Sequence, residues 1–187
     1  MPDALTLLET RRSVSARNMV GPGPDEAALK RMIAIAIRVP DHGKLAPWRF
    51  VVYAGDARAT VCHRLADLLA TRGAEADKVE ATRTAFTRAP VVVGVVSTAS
   101  SHPKIPVWEQ ELSAGAATMN LCHAAHAMGF VANWLTDWFA FDDAAKAILG
   151  VAPDEKVAGF VHIGSMAEPP QERPRPEVEA ITRWWTA

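Results

Sequence analysis

The chain has 187 residues, of which 49% are hydrophobic and 22% charged, and carries a formal net charge of -1 at pH 7. That length suits one globular domain with a sizeable core, and the balanced charge excludes a dominant surface for a nucleic-acid backbone. Its two cysteines, Cys62 and Cys122, stand far apart and in no CxxC pair, which excludes a disulfide framework or zinc knuckle and reads as reduced thiols in a cytosol.

In chain order, Met1 to Leu5 has neither a basic n-region nor a long apolar stretch, so no signal peptide is expected. Asp3 to Arg12 predicts a short helix with Leu5 and Leu8 on its apolar side. Gly21-Pro22-Gly23-Pro24 is a loop, and Asp25 caps a second helix with Leu29, Met32, Ile33, Ala36 and Ile37 on one face. That helix ends ahead of Pro40. Asp41 to Pro47 is a loop and Arg49 to Tyr53 a strand.

Asp56 is placed to cap a helix to about Thr71, followed by a helical stretch from Glu75 to Phe86. Val91 to Val96, apolar on both faces, predicts a central strand. It is far shorter than the roughly 20 residues that span a bilayer. Pro106 opens a long helix, about Val107 to Met128, closed by Gly129. Phe130 to Leu135 and Val157 to Ile163 read as strands, with a short Asp142-capped helix ending at Gly150 between them. Pro169 to Pro176 is extended, and Val178 to Trp185 closes as a short helix. Without repeats or linkers, residues 1–187 read as one α+β or α/β domain with a helix-covered sheet.

Several chemistries lack their motifs: there is no Walker loop, no strand-bound GxGxxG, no GxSxG elbow and no HExxH. His123 and His126 share a helix face, without further metal ligands evident beside them. The small residues from Ser113 to Ala117 favour close helix packing or the approach of a flat ligand.

Three polar patches remain. Arg11-Arg12-Ser13 sets two guanidinium groups beside a hydroxyl, as an anion clamp or a solvated helix end. Arg38 to Phe50 is a donor-rich loop pinned by prolines, or a structural turn. Trp108-Glu109-Gln110-Glu111-Leu112-Ser113-Ala114-Gly115 opens the long helix.

In this order, RRSxS, PDHxxxxPW, WEQExSAG, Gly129-Phe130 before a strand with Trp134, and Gly159-Phe160 to Gly164 resemble the nitroreductase family of FMN enzymes. The resemblance covers nearly the whole chain and is to the small, single-domain YdjA-type subgroup. It implies an α+β three-layer sandwich with a central, mostly antiparallel sheet flanked by helices, in a cytoplasmic homodimer with FMN at the subunit interface. Arg11, Arg12 and Ser13 match FMN contacts from the N-terminal helix, with Arg11 placed for the N1/O2 edge of the flavin. Arg38 and His42 match contacts from the neighbouring subunit, with His42 a binding group or a proton donor. Trp134, Leu135 and Thr136 match the strand along the cofactor, and Arg173 or Arg175 the partner of its phosphate.

The implied activity is a two-step cycle in which NADPH or NADH reduces FMN, and a nitroaromatic, quinone or similar small electrophile then takes the electrons. Two departures bear on substrate choice. Lys44 and Ala46 stand where many members have asparagine and glutamine, and Leu135-Thr136-Asp137 where relatives often have Arg-Ser-Gly; Lys44 is a candidate to replace that arginine as a donor. Three other readings stay open at this point: a different flavin reductase or dehalogenase activity on the same scaffold, an FMN storage or sensor protein, and a hydrolase or metal enzyme.

Overall fold

A computed structural model describes residues 3–186 of the chain. Met1, Pro2 and Ala187 lie outside the described residues, and with them part of the segment read for a leader. Helix α1 (Ala4–Thr10) starts where the Asp3 carboxylate accepts from the Leu5 and Thr6 amides. It buries none of its side chains. Seven residues are too few to hold a helix by propensity alone, so its apolar side needs a partner. The helix ends before Arg11, whose backbone is already extended. The basic triplet therefore follows the helix instead of finishing it. Val14 N–H donates to Ala132 O at 3.3 Å, pinning that extended segment to the strand containing Ala132.

Strand β1 is only Met19–Val20. Helix α2 (Glu26–Ala36) is capped by Asp25, which accepts from Ala28 N–H. A single turn at His42–Lys44 precedes β2 (Trp48–Ala54). Helices α3 (Ala57–Thr71) and α4 (Ala76–Arg83) follow. Asp56 stands ahead of α3 with helical backbone angles and makes no capping bond, unlike the expectation for it. Then come β3 (Val91–Ser97), α5 (Val107–Ala127), β4 (Val131–Leu135), α6 (Asp143–Ile148), β5 (Lys156–Met166) and the single turn α7 (Val178–Ile181).

Every strand pairing is antiparallel. β3 lies between β2 and β5, while β4 and β1 both pair with β5. Side chains of β3 alternate between two cores, as the period of a strand requires. Val92 and Val96 enter a cluster with Tyr53, Phe86, Phe139 and Phe160, covered by α3 and α6. Val91, Val93 and Val95 enter a second one with Met32, Leu121 and Ile163, covered by α2 and α5. The result is the expected α+β sandwich of three layers, with the sheet in the middle. Phe86 anchors the first core, its ring 5.0 to 5.4 Å from those of Tyr53, Phe160 and Phe139. No helix among the described residues is long and apolar enough to cross a membrane.

Candidate functional site

Arg11, Arg12 and Ser13 run between α5, β4 and the C-terminal tail. Arg11 lines three neighbouring cavities and has no ion-pair or hydrogen-bond partner for its guanidinium among the described residues. One cavity, of about 340 Å³, is lined by Arg11, Arg12, Ser13, Arg173, Pro174, Arg175 and Pro176. Four guanidinium groups and a hydroxyl thus face one space with no carboxylate in its lining, an arrangement that calls for an anion. The structure brings both tail arginines to it.

The second cavity, of about 330 Å³, is lined by Arg11, Ser13, Met119, Cys122, Trp134, Leu135 and Thr136. Its walls are mainly apolar or aromatic, with Arg11 the only charged side chain. Trp134 donates from Nε1 to Ala158 O at 3.0 Å and lies over Gly159, where any Cβ would collide with the indole. Met119 and Cys122 are additions to the expected residues. They come from α5, one helical turn apart, and nothing local in sequence marks them. Burial pushes the Cys122 thiol up to about 11 despite the opposing pull of Arg11. It stays a protonated thiol, not a nucleophile.

The third cavity, of about 410 Å³, lies behind the arginines and includes Leu7, His126, Met166 and Glu172. Burial, with smaller contributions from Arg11 and His123, pushes His126 down to about 4. His123 is lowered by the same burial and by Arg11. His126 Nε2 accepts from Ala132 N–H at 3.3 Å, so its ring is neutral at neutral pH and Arg11 supplies the positive charge on this face. Among the described residues, no group of three or more His, Cys, Asp or Glu side chains is placed to hold a metal ion.

Arg38 and His42 lie elsewhere on the chain. His42 lines a fourth cavity, of about 310 Å³, with Pro40, Glu109, Leu112, Ser113 and Ala116. Arg38 is exposed and lines none of the cavities around Arg11. The loop carrying His42 is tied by its own hydrogen bonds and by α5. Asp41 accepts from the Leu45 and Ala46 amides at 3.0 and 2.9 Å. Gly43 has φ 74° and packs so closely on Ile105 that a Cβ would collide with it. Ser113 of α5 donates to Pro40 O at 2.7 Å and accepts from Trp48 Nε1 at 3.1 Å.

The polar start of α5 is mostly spent on this loop and its neighbours. Glu109 meets His42, and Gln110 donates to Ser100 O and accepts from Ser100 N–H. Lys44 sits on the loop in a left-handed conformation and does not reach the Arg11 cavities of its own chain. Asp137 accepts from Trp138 N–H and caps the next turn.

A sheet of this topology with a basic N-terminal segment, a long small-sided helix and a tail returning over the arginines defines a helix-flanked α+β sandwich with an anion-binding cleft. The chain belongs to the nitroreductase family: the model of the Nitroreductase family matches residues 8–165. YdjA of Escherichia coli K12, provisionally named an NAD(P)H nitroreductase, is 32% identical over 163 residues, which cover 87% of this chain and 88% of that protein. A Haemophilus influenzae Rd protein with the same provisional name is 36% identical over 171 residues, 89% of this chain and 90% of that one. Among solved structures, a nitroreductase-like family protein from Bacillus cereus superposes with a TM-score of 0.81 at 19% identity, over 98% of this chain and 96% of that chain. NfnB of Sphigopyxis sp. strain HMH, described as an FMN- and NADPH-dependent nitroreductase, superposes with a TM-score of 0.73 at 20% identity, over 99% and 100% of the two chains. Those likenesses show the fold; the family match makes the chain an oxidoreductase.

Proposed function

We propose that this chain is an FMN-dependent NAD(P)H oxidoreductase that works as a homodimer and reduces small electrophiles such as nitroaromatics and quinones. One observation carries the reading: Arg11, a cation with no partner among the described residues, stands where an arginine-lined cavity meets a largely apolar one walled by Trp134. An elongated ligand with a phosphate at one end and a flat polar ring at the other matches that pair of cavities. Arg12, Ser13, Arg173 and Arg175 would hold the phosphate. Trp134, Leu135, Thr136, Met119 and Cys122 would wall the ring, with Arg11 offering positive charge beside it. When bound, FMN supplies the hydride chemistry. The cavities are open to solvent, which suits NADPH or NADH and the acceptor entering in turn.

The dimer reading has its own support. Leu5, Leu8, Trp108, Leu112, Trp184 and Trp185 are each more than half exposed, apolar surface that an interface would cover. Along α5, Glu109, Leu112, Ser113 and Ala116 face the His42 cavity, while Met119 and Cys122 face an Arg11 cavity. On the same helix Gly115 is open enough that an added Cβ meets nothing within 4 Å. A two-fold axis crossing α5 near Gly115 would set the His42 end of one copy against the Arg11 end of the other. Arg38 and His42 would then complete the partner's site.

The test is an absorbance spectrum of the purified protein, followed by anaerobic NADPH, then NADH, then an acceptor. A yellow protein with about one FMN per subunit, bleached by either donor and restored by a nitroaromatic or quinone, is the expected result. A bound flavin that neither donor bleaches would replace the enzyme reading with storage or sensing. A protein that takes up no FMN would overturn the proposal.

A further inference from the structure

We propose that Glu172 is a latch: its ion pair with Arg12 holds the tail arginines over the anion cavity and makes Glu172 a positioning residue for the cofactor's phosphate. The inference rests on the reading of that cavity as the FMN phosphate site. Beyond the Ala167 N–H bond to Asn18 O at 3.2 Å, the tail runs over the surface, and residues 168–186 are almost all exposed. Among the described residues, one ion pair or hydrogen bond ties that tail to the rest of the chain: Arg12 Nη1 to Glu172 Oε2, at 2.6 Å. The two halves of the arginine cavity, Arg11 to Ser13 and Arg173 to Arg175, are therefore joined by a single polar contact.

The geometry of Glu172 suits that task. While Oε2 meets Arg12, Oε1 accepts from the Arg173 amide at 2.8 Å, which fixes the backbone that presents the Arg173 side chain. Arg175 Nη1 in turn donates to Arg173 O at 3.1 Å, drawing the second arginine toward the first. The Arg173 amide and then the Arg12 side chain hold the Glu172 carboxyl below its usual range, so it is charged at neutral pH. Arg12 Nη1 is buried and has Glu172 Oε2 near it, off the hydrogen-bonding direction.

The competing effect is repulsion between Glu172 and a phosphate. Glu172 is exposed, so water screens that repulsion. An untied tail must instead be ordered residue by residue before its arginines can act, which is the larger cost.

The experiment compares the affinities of FMN and riboflavin for the full-length wild type, Glu172→Ala and Glu172→Asp, by quenching of flavin fluorescence. Riboflavin lacks only the phosphate. Glu172→Ala is expected to weaken FMN about fivefold, the scale of one partly exposed ion pair, and to leave riboflavin unchanged. Glu172→Asp restores part of the loss. An FMN affinity that is unchanged or tighter in Glu172→Ala overturns the latch, as does an equal loss for both flavins. A wild type that binds FMN no better than riboflavin overturns the phosphate site itself, and the latch with it.

Discussion

His42 and Glu109, 67 residues apart in the chain, meet with Nδ1 of the ring 2.7 Å from Oε2 of the carboxylate. Glu109 lies in the first turn of α5, where the helix dipole favours a negative charge. The ring nitrogen facing it donates, which leaves Nε2 for a ligand. If that ligand sits in the partner's site, Arg11→Ala and His42→Ala should each cost about tenfold or more in activity, the scale of one charge-assisted bond.

The same arrangement predicts complementation. A heterodimer of an Arg11→Ala chain with a His42→Ala chain holds one site lacking both groups and one site with both. Equal mixing makes half the dimers mixed, so about a quarter of wild-type activity should return when the chains are refolded together. No recovery over the separate variants would place His42 and Arg11 in the same chain's site or outside it.

Ser113 offers a test of how the His42 loop is held. Its hydroxyl is buried and serves both Pro40 O and Trp48 Nε1. Ser113→Ala strands a buried donor and a carbonyl, at a cost of about 2 kcal/mol. Urea unfolding of the two proteins measures it. A difference under about 0.5 kcal/mol would mean that the loop is held by its other contacts.

Much of the layering was legible because it is local. Val91 to Val96 is apolar at every position, as only a strand between two cores requires, and Asp25 and Asp142 cap helices where the pattern placed them. β1 was not legible, since two residues carry no period and Met19–Val20 becomes a strand only by meeting Ser165 and Met166. At the site, Arg11 to Ser13 and Trp134 to Thr136 stood out by motif. Their companions did not: Met119 and Cys122 belong to the same cavity through the pitch of α5, and Glu172 through a contact across the fold. Glu109 and His42 were each visible in separate patches, but only folding pairs them.

Gly159 is the platform for Trp134. A Cβ there would collide with Nε1 and Cδ1 of the indole. Gly159→Ala must push the ring away and break its bond to Ala158 O. The expected results are a loss of about 1–3 kcal/mol in stability and weaker FMN binding, because Trp134 walls the proposed ring cavity. Urea unfolding and flavin fluorescence titration read the two effects. A variant matching wild type in both would show that the indole can move without consequence.

His126 sets an acid limit on stability. Its folded value is about 4, depressed from 6.5 chiefly by burial. Between those values the unfolded chain binds a proton that the folded chain does not. Stability should therefore be level above about pH 6.5 and fall as the pH drops toward 4, by roughly 2 kcal/mol from this ring after allowance for its partial exposure. His162 is lowered as well, mainly by burial, and acts in the same direction. His126→Gln separates the two rings, since it keeps an acceptor for the Ala132 amide and removes the titration. Urea midpoints at pH 7 and pH 4.5 should differ less for His126→Gln than for wild type. Equal acid losses in both proteins would assign the effect to other groups and leave His126 without a part in it.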